Sequence, residues 1–316
     1  MDLHTPICDL LGIEHPVFLA GMGEVAYADV CAAVSEAGGF GTLGMVGASP
    51  GRIRDEMRGV RRRTDKPFGV DLLAALPQQI ESAIGVIIDE GAAAFVAGLG
   101  VPGPVVERCH RAGVKVISMC GRVKHALRAE EAGCDAVVAQ GSEAGGHTGR
   151  VAGMALIPQI VDAVSIPVLA AGAIVDGRGL VAALAFGAQG VWMGTRFIAS
   201  QEARAAESYK RRILASGSDD TLVTRCYSGK PMRVIRNAYV EDWEKRQGEI
   251  LPFPAQFARS GADGVLAFHD DAVVDPERTA MPAGQGIGGI GEILPAGEIV
   301  RRVMEEARAV IARLAS

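Results

Sequence analysis

The chain has 316 residues, 49% hydrophobic and 22% charged, enough for one barrel-sized domain plus a smaller appendage. Its net charge of −5, with no gathered basic stripe, speaks against nucleic acid or a membrane surface as a partner. No apolar run is long enough to span a bilayer, and the opening Met1-Asp2-Leu3-His4-Thr5 lacks the regions of a signal peptide, so a cytoplasmic protein is expected.

Short apolar runs then alternate with helix-like spacing as far as Ser200. Strands are expected at 17–20, 40–43, 68–72, 93–97, 115–119, 136–139, 167–171 and 190–193. Helices are expected between them, at 27–37, 53–62, 78–90, 104–112, 123–132, 155–164 and 177–186. Several of these helices exit through glycine, as in Arg-Ala-Gly (111–113) and Glu-Ala-Gly (131–133), where left-handed backbone is needed. Strictly alternating strands and helices imply an α/β fold with a parallel sheet covered on both faces. Eight units suggest a closed (β/α)8 TIM barrel over residues 1–200, with an open doubly wound sheet as the alternative. The alternation then stops. Residues 201–285 read as a smaller, mostly helical domain on the substrate side, and 286–316 as a segment whose amphipathic helix packs back on the barrel through Val300, Val303, Met304, Ala307, Ile311 and Leu314.

The most informative stretch is Gln140-Gly141-Ser142-Glu143-Ala144-Gly145-Gly146-His147-Thr148-Gly149. It follows the run 136–139, and the carboxyl ends of parallel strands are where ligands bind. Of the six histidines only His147 has this setting. Its ordinary pKa, about 6.5, suits proton transfer near neutrality; the plainer reading is a histidine that orders its loop. The six cysteines form no Cys-x-x-Cys pair, so neither a disulfide framework nor a metal site is expected. Cys120 closes a strand and could face a pocket.

Gly-x-Gly-x-x-Gly occurs at 39–44, 98–103 and 286–291, but none has the strand, helix and acidic residue of a dinucleotide site. Two other loops carry more. The seventh strand ends in Ala170-Ala171-Gly172-Ala173 before a helix opening at Asp176-Gly177, and the eighth in Trp192-Met193-Gly194-Thr195-Arg196. Loops at these positions and a helix N-terminus often hold phosphate, and Thr195 adds a hydroxyl.

Three segments together resemble the nitronate monooxygenases, formerly 2-nitropropane dioxygenases: 139–147, Ile166-Pro167-Val168-Leu169-Ala170-Ala171-Gly172, and Met193-Gly194-Thr195-Arg196-Phe197. The same superfamily holds FMN-dependent enoyl-thioester reductases. The likeness extends to Gly12-Ile13-Glu14-His15-Pro16, Lys66-Pro67-Phe68-Gly69-Val70, Ser228-Gly229-Lys230 with Asn237, and Ala283-Gly284-Gln285-Gly286. It implies an FMN-binding barrel with His147 in the catalytic position. The cofactor contacts it implies are Gly21, Met22, Asp71, Gln140, Gly145, Gly146, Gly172, Ala173, Trp192, Met193, Gly194, Thr195 and Gln285. Asp71 replaces the family's usual asparagine, Ala173 a second glycine, and Trp192 a common glutamine. An ionised Asp71 would only accept hydrogen bonds and would disfavour an anionic substrate, unless it is protonated or points away.

The resemblance implies a small-molecule substrate, and leaves a homo-oligomer open. In the leading reading an alkyl nitronate is oxidised with O2 to a carbonyl compound and nitrite, His147 acting as base or hydrogen-bond donor. The alternatives are an NAD(P)H-dependent enoyl-thioester or quinone reductase, and a non-catalytic flavin-binding barrel.

Overall fold

The computed structural model describes residues 3–74, 77–98, 100 and 103–316. The chain opens with α1 (Pro6–Leu11) and β1 (Val17–Leu19). It continues through α2 (Ala28–Glu36), β2 (Gly41–Gly44), α3 (Pro50–Arg61), β3 (Phe68–Leu73), α4 (Pro77–Asp89), β4 (Ala94–Gly98), α5 (Val106–Arg111), β5 (Lys115–Cys120), α6 (Val123–Glu131) and β6 (Ala136–Gln140). A two-residue strand β7 (Gly146–His147) precedes α7 (Gly153–Ala163), β8 (Val168–Ala171), α8 (Gly177–Ala185), β9 (Gly190–Met193) and α9 (Thr195–Ile198). Eight strands form one parallel sheet in the order β1-β9-β8-β6-β5-β4-β3-β2. Its two ends meet where Phe18 bridges Phe40, with Leu19 N donating to Phe40 O and Phe40 N to Val17 O, both at 2.9 Å. That closure makes a barrel and excludes the open sheet.

Side chains alternate across each strand, which sorts the apolar residues into two layers. Phe18, Phe40, Val96, Ile117, Val138, Leu169 and Trp192 point inward and fill the barrel, with Ile7, Cys8 and Leu11 of α1 joining them. Val17, Leu43, Val70, Phe95, Val137 and Val191 point outward against the helices. Gly113 and Gly133 take φ of 77° and 88° at helix exits, the conformation their positions require. All six cysteines are buried and none forms a disulfide with a described residue, and burial pushes the Cys120 thiol up to about 12, which keeps it an inert packing group.

Beyond residue 200 come α10 (Glu207–Ala215), β10 (Thr221–Thr224), β11 (Met232–Ile235), α11 (Ala238–Glu244), α12 (Ala255–Ala262) and α13 (Ala296–Leu314). The segment 201–285 is therefore less helical than its composition suggests. β11 pairs antiparallel with β10 and also with β7, matching Met232 to His147 and Arg233 to Gly146. Two four-residue strands carry too little alternation to register in a sequence, and their partner lies far back in the chain. An apolar cluster of Val25, Ile198, Tyr209, Ile213, Met281 and Ile287 joins this segment to the barrel loops. α13 buries Val300, Val303, Met304 and Ala307 against α2 and α8, although its expected face member Leu314 is exposed. Among the described residues no helix is long and apolar enough to cross a membrane.

Candidate active site

The carboxyl ends of the barrel strands converge with the segment 283–285. Gly145 has no room for a side chain, since a Cβ there would lie 2.7 Å from the backbone of Ala283 and Gly284. Gln285 N donates to Glu143 O at 2.8 Å, and Gly284 N donates to Thr195 Oγ1 at 3.0 Å. Both oxygens of the Glu143 carboxylate accept from Gly153 N at 2.9 Å, which ties the glycine loop to the start of α7. A Cβ on Gly172 would meet Ala144 N at 3.3 Å, and one on Gly194 would meet Met22 Sδ at 3.5 Å. Gly21, Met22, Gln140, Gly145, Gly146, His147, Gly172, Ala173, Gly194, Thr195 and Gln285 thus share one rim.

Two expected contacts are altered. The Trp192 indole packs inside the barrel, 6.2 Å from the Phe18 ring, and the Met193 side chain lies in the outer layer. The helix at Asp176-Gly177 also differs from the phosphate seat the sequence suggests. The Asp176 carboxylate accepts from Arg178 N and Gly179 N, and Glu306 Oε2 accepts from Gly177 N at 2.9 Å. Two carboxylates already occupy that helix start and would repel an anion. What remains for a phosphate are the amides of Gly172, Ala173, Gly194 and Thr195, none hydrogen-bonded to a described residue. Ala173 holds φ at 54°, a left-handed conformation that glycine takes without strain. The second glycine motif, 98–103, lies partly outside the described residues, because 99, 101 and 102 do.

Asp71 projects inward from β3 at 7% exposure. A Cβ on Gly21 would fall 2.2 Å from its own Cβ, so Gly21 is the floor it packs on. Its Oδ1 has no hydrogen-bond partner among the described residues, and burial pushes the carboxyl well above the carboxylate range. Burial therefore favours the protonated form of Asp71, which can donate as well as accept, as asparagine does. That removes the charge conflict which the sequence raises. The unpaired Oδ1 and the bare amides together fit a flavin phosphate, with a polar group of the ring at Asp71.

His147 is half-buried and lines a cavity of about 510 Å³ that opens beside the rim between β5, β6 and residues 230–231. Its carbonyl accepts from Gln140 Nε2 at 2.7 Å, and its Nε2 shares a 2.8 Å hydrogen bond with Ser228 Oγ. Its Nδ1 has no partner among the described residues. Burial, reinforced by the charge of Lys230, pushes the imidazole down to about 4. His147 is thus a neutral base at physiological pH, anchored by one nitrogen and open at the other. Ser228 and Lys230 lie in a motif quoted above, yet no local pattern reveals that they meet His147. That follows from β7 pairing with β11.

The nitronate monooxygenase family model matches residues 4–85 and 78–306. The chain belongs to the nitronate monooxygenase family. A probable nitronate monooxygenase of Staphylococcus saprophyticus is 35% identical over 302 residues, covering 81% of this chain and 85% of that one. A 5-hydroxy-7a-methyl-1-oxo-octahydro-1H-indene-4-carboxyl-CoA dehydrogenase of Mycobacterium tuberculosis is 42% identical over 247 residues, covering 77% of this chain and 69% of that one. FabK from Thermotoga maritima superposes with a TM-score of 0.91 at 37% identity, covering 99% and 98% of the two chains. Membership of this family makes the chain an oxidoreductase with a TIM-barrel fold.

Proposed function

We propose that this chain is an FMN-dependent oxidoreductase that oxidises alkyl nitronates with O2 to a carbonyl compound and nitrite. The observation that carries the reading is a neutral, anchored His147 with one ring nitrogen open, set at a cavity beside a rim of bare amides. The amides of Gly172, Ala173, Gly194 and Thr195 would hold the phosphate, and neutral Asp71 would meet a polar edge of the ring. FMN, when bound, supplies an electron acceptor that passes electrons on to O2. His147 Nδ1 would take the proton of a neutral nitroalkane or hold a nitronate oxygen by a hydrogen bond. Ser228 keeps the ring oriented, and Lys230 adds positive charge beside an anionic substrate. The test is a visible spectrum of the purified protein followed by nitrite release from nitronate in air. A colourless protein that takes up no FMN would end the proposal, as would a flavoprotein that yields no nitrite.

A second reading is NAD(P)H-linked reduction, or its reverse, on an acyl thioester. It is favoured by the size of the cavity, which exceeds what a small nitronate fills, and by the cations around it. The carboxyl-CoA dehydrogenase named above, itself a thioester-linked enzyme by name, supports the same direction. Oxidation of NADH or NADPH with enoyl thioesters, run beside the nitronate assay, separates the two.

A further inference from the structure

The cavity at His147 is ringed by charges of one sign. Arg122 at the N-cap of α6, Arg128 within α6 and Lys230 in the loop before β11 reach it, and no carboxylate is among the described residues that line it. A second cavity of about 190 Å³ adjoins it, sharing Gly149 and Pro231, and adds Arg150 and Arg225. Its one carboxylate, Glu244, accepts from Thr224 Oγ1 at 2.8 Å. Among the described residues none of Arg122, Arg128, Arg150, Arg225 and Lys230 has a carboxylate within 4.0 Å. Elsewhere the arginines are commonly paired, as Arg52 is with Glu56 and Arg54 and Arg58 are with Glu90.

This crowding is unfavourable without an anion. Arg122 stands at the N-cap of α6 and Lys124 in its first turn, the wrong end of a helix dipole for a cation. His125 is held below its ordinary pKa by burial first and then by Arg122, Lys124 and Arg128, so a further positive charge here is disfavoured. The chain as a whole is acidic, so the cluster is not a share of a general cationic surplus. Guanidinium forks match phosphate oxygens, and cations spread over two adjoining cavities suit more than one phosphate.

We infer that the arc of Arg122, Arg128, Arg150, Arg225 and Lys230 seats the phosphates of an extended small molecule whose reactive end reaches His147. The ligand class is a multiply phosphorylated carrier: the nucleotide arm of an acyl thioester or a phosphorylated nicotinamide dinucleotide. The inference rests on His147 marking the reaction centre, as proposed above.

The flavin-loaded protein is titrated calorimetrically with coenzyme A, NADPH and uncharged pantetheine, at low and moderate salt. The same titrations are run on the exposed-site double variants Arg122→Gln/Arg128→Gln and Arg150→Gln/Arg225→Gln. Coenzyme A or NADPH should bind, weaken with salt, and lose about tenfold in affinity in at least one double variant. Binding of coenzyme A alone assigns the arc to a thioester carrier, and of NADPH alone to a reductant. No binding of either at millimolar concentration overturns the inference, as does equal binding by wild type and both variants, or pantetheine binding as tightly as coenzyme A. Flavin content and nitrite release, read on the same preparations, report separately on the flavin and nitronate proposal. Their loss with nucleotide binding intact sinks that proposal and leaves this one standing.

Discussion

Replacing Asp71 by asparagine tests the neutral acid inside the barrel. The carboxyl is 7% exposed, with an oxygen unpartnered among the described residues and burial as the cause of its raised pKa. In the unfolded chain it ionises near its ordinary value of 3.8. Above that value the folded state binds a proton that the unfolded state has released, so stability falls as pH rises. Each pH unit across which the folded group stays neutral costs about 1.4 kcal/mol. Over two such units the loss is about 2.7 kcal/mol. An asparagine side chain has nearly the same shape and does not titrate, so the variant should lack this loss. Urea unfolding of flavin-free wild type and Asp71→Asn at several pH values across that interval reads the difference, and every other titrating group cancels in it. The variant should gain on the wild type steadily as pH rises. Parallel stability curves would mean that Asp71 is ionised in the folded protein, and the argument from burial would be wrong.

Four further outcomes are expected. His147→Asn should lower kcat/KM for a neutral nitroalkane by about 100- to 10,000-fold while flavin content holds; unchanged turnover would leave His147 only a loop-ordering role. In the wild type the acid limb of that kcat/KM profile should fall near pH 4, because burial keeps the imidazole unprotonated down to about 4; a limb at its ordinary value would refute the burial argument. Ala173→Gly should stabilise the protein by about 1 kcal/mol through relief of left-handed backbone, seen as a higher denaturation midpoint. Gly145→Ala should cost about 2 kcal/mol and loosen flavin retention, since its methyl would strike the backbone of Ala283 and Gly284; dialysis followed by flavin absorbance checks it.

The eight barrel strands and their helices could be read along the chain because each is a local pattern. A parallel strand covered on both faces is a short apolar run, and helix exits are marked by glycine. The glycine loop carrying His147 was legible for the same reason: it follows such a run directly. Residues 221–235 were not, because β10 and β11 exist only by pairing with each other and with β7. The start of α8 reads as open to phosphate, until Glu306, 129 positions away, is found on Gly177 N.

Residue order alone therefore determined the class of fold, its eightfold alternation and the placing of one histidine after the sixth barrel strand. Tertiary structure decided the ionisation states and the partners. The barrel closing over Asp71 raises its proton affinity, and burial beside Lys230 lowers that of His147. Ser228 and the unpaired arginines acquire their meaning only from what folding sets opposite them. Charge and proton affinity depend on solvent exclusion and on neighbours distant in the chain, and those exist only once the chain has folded.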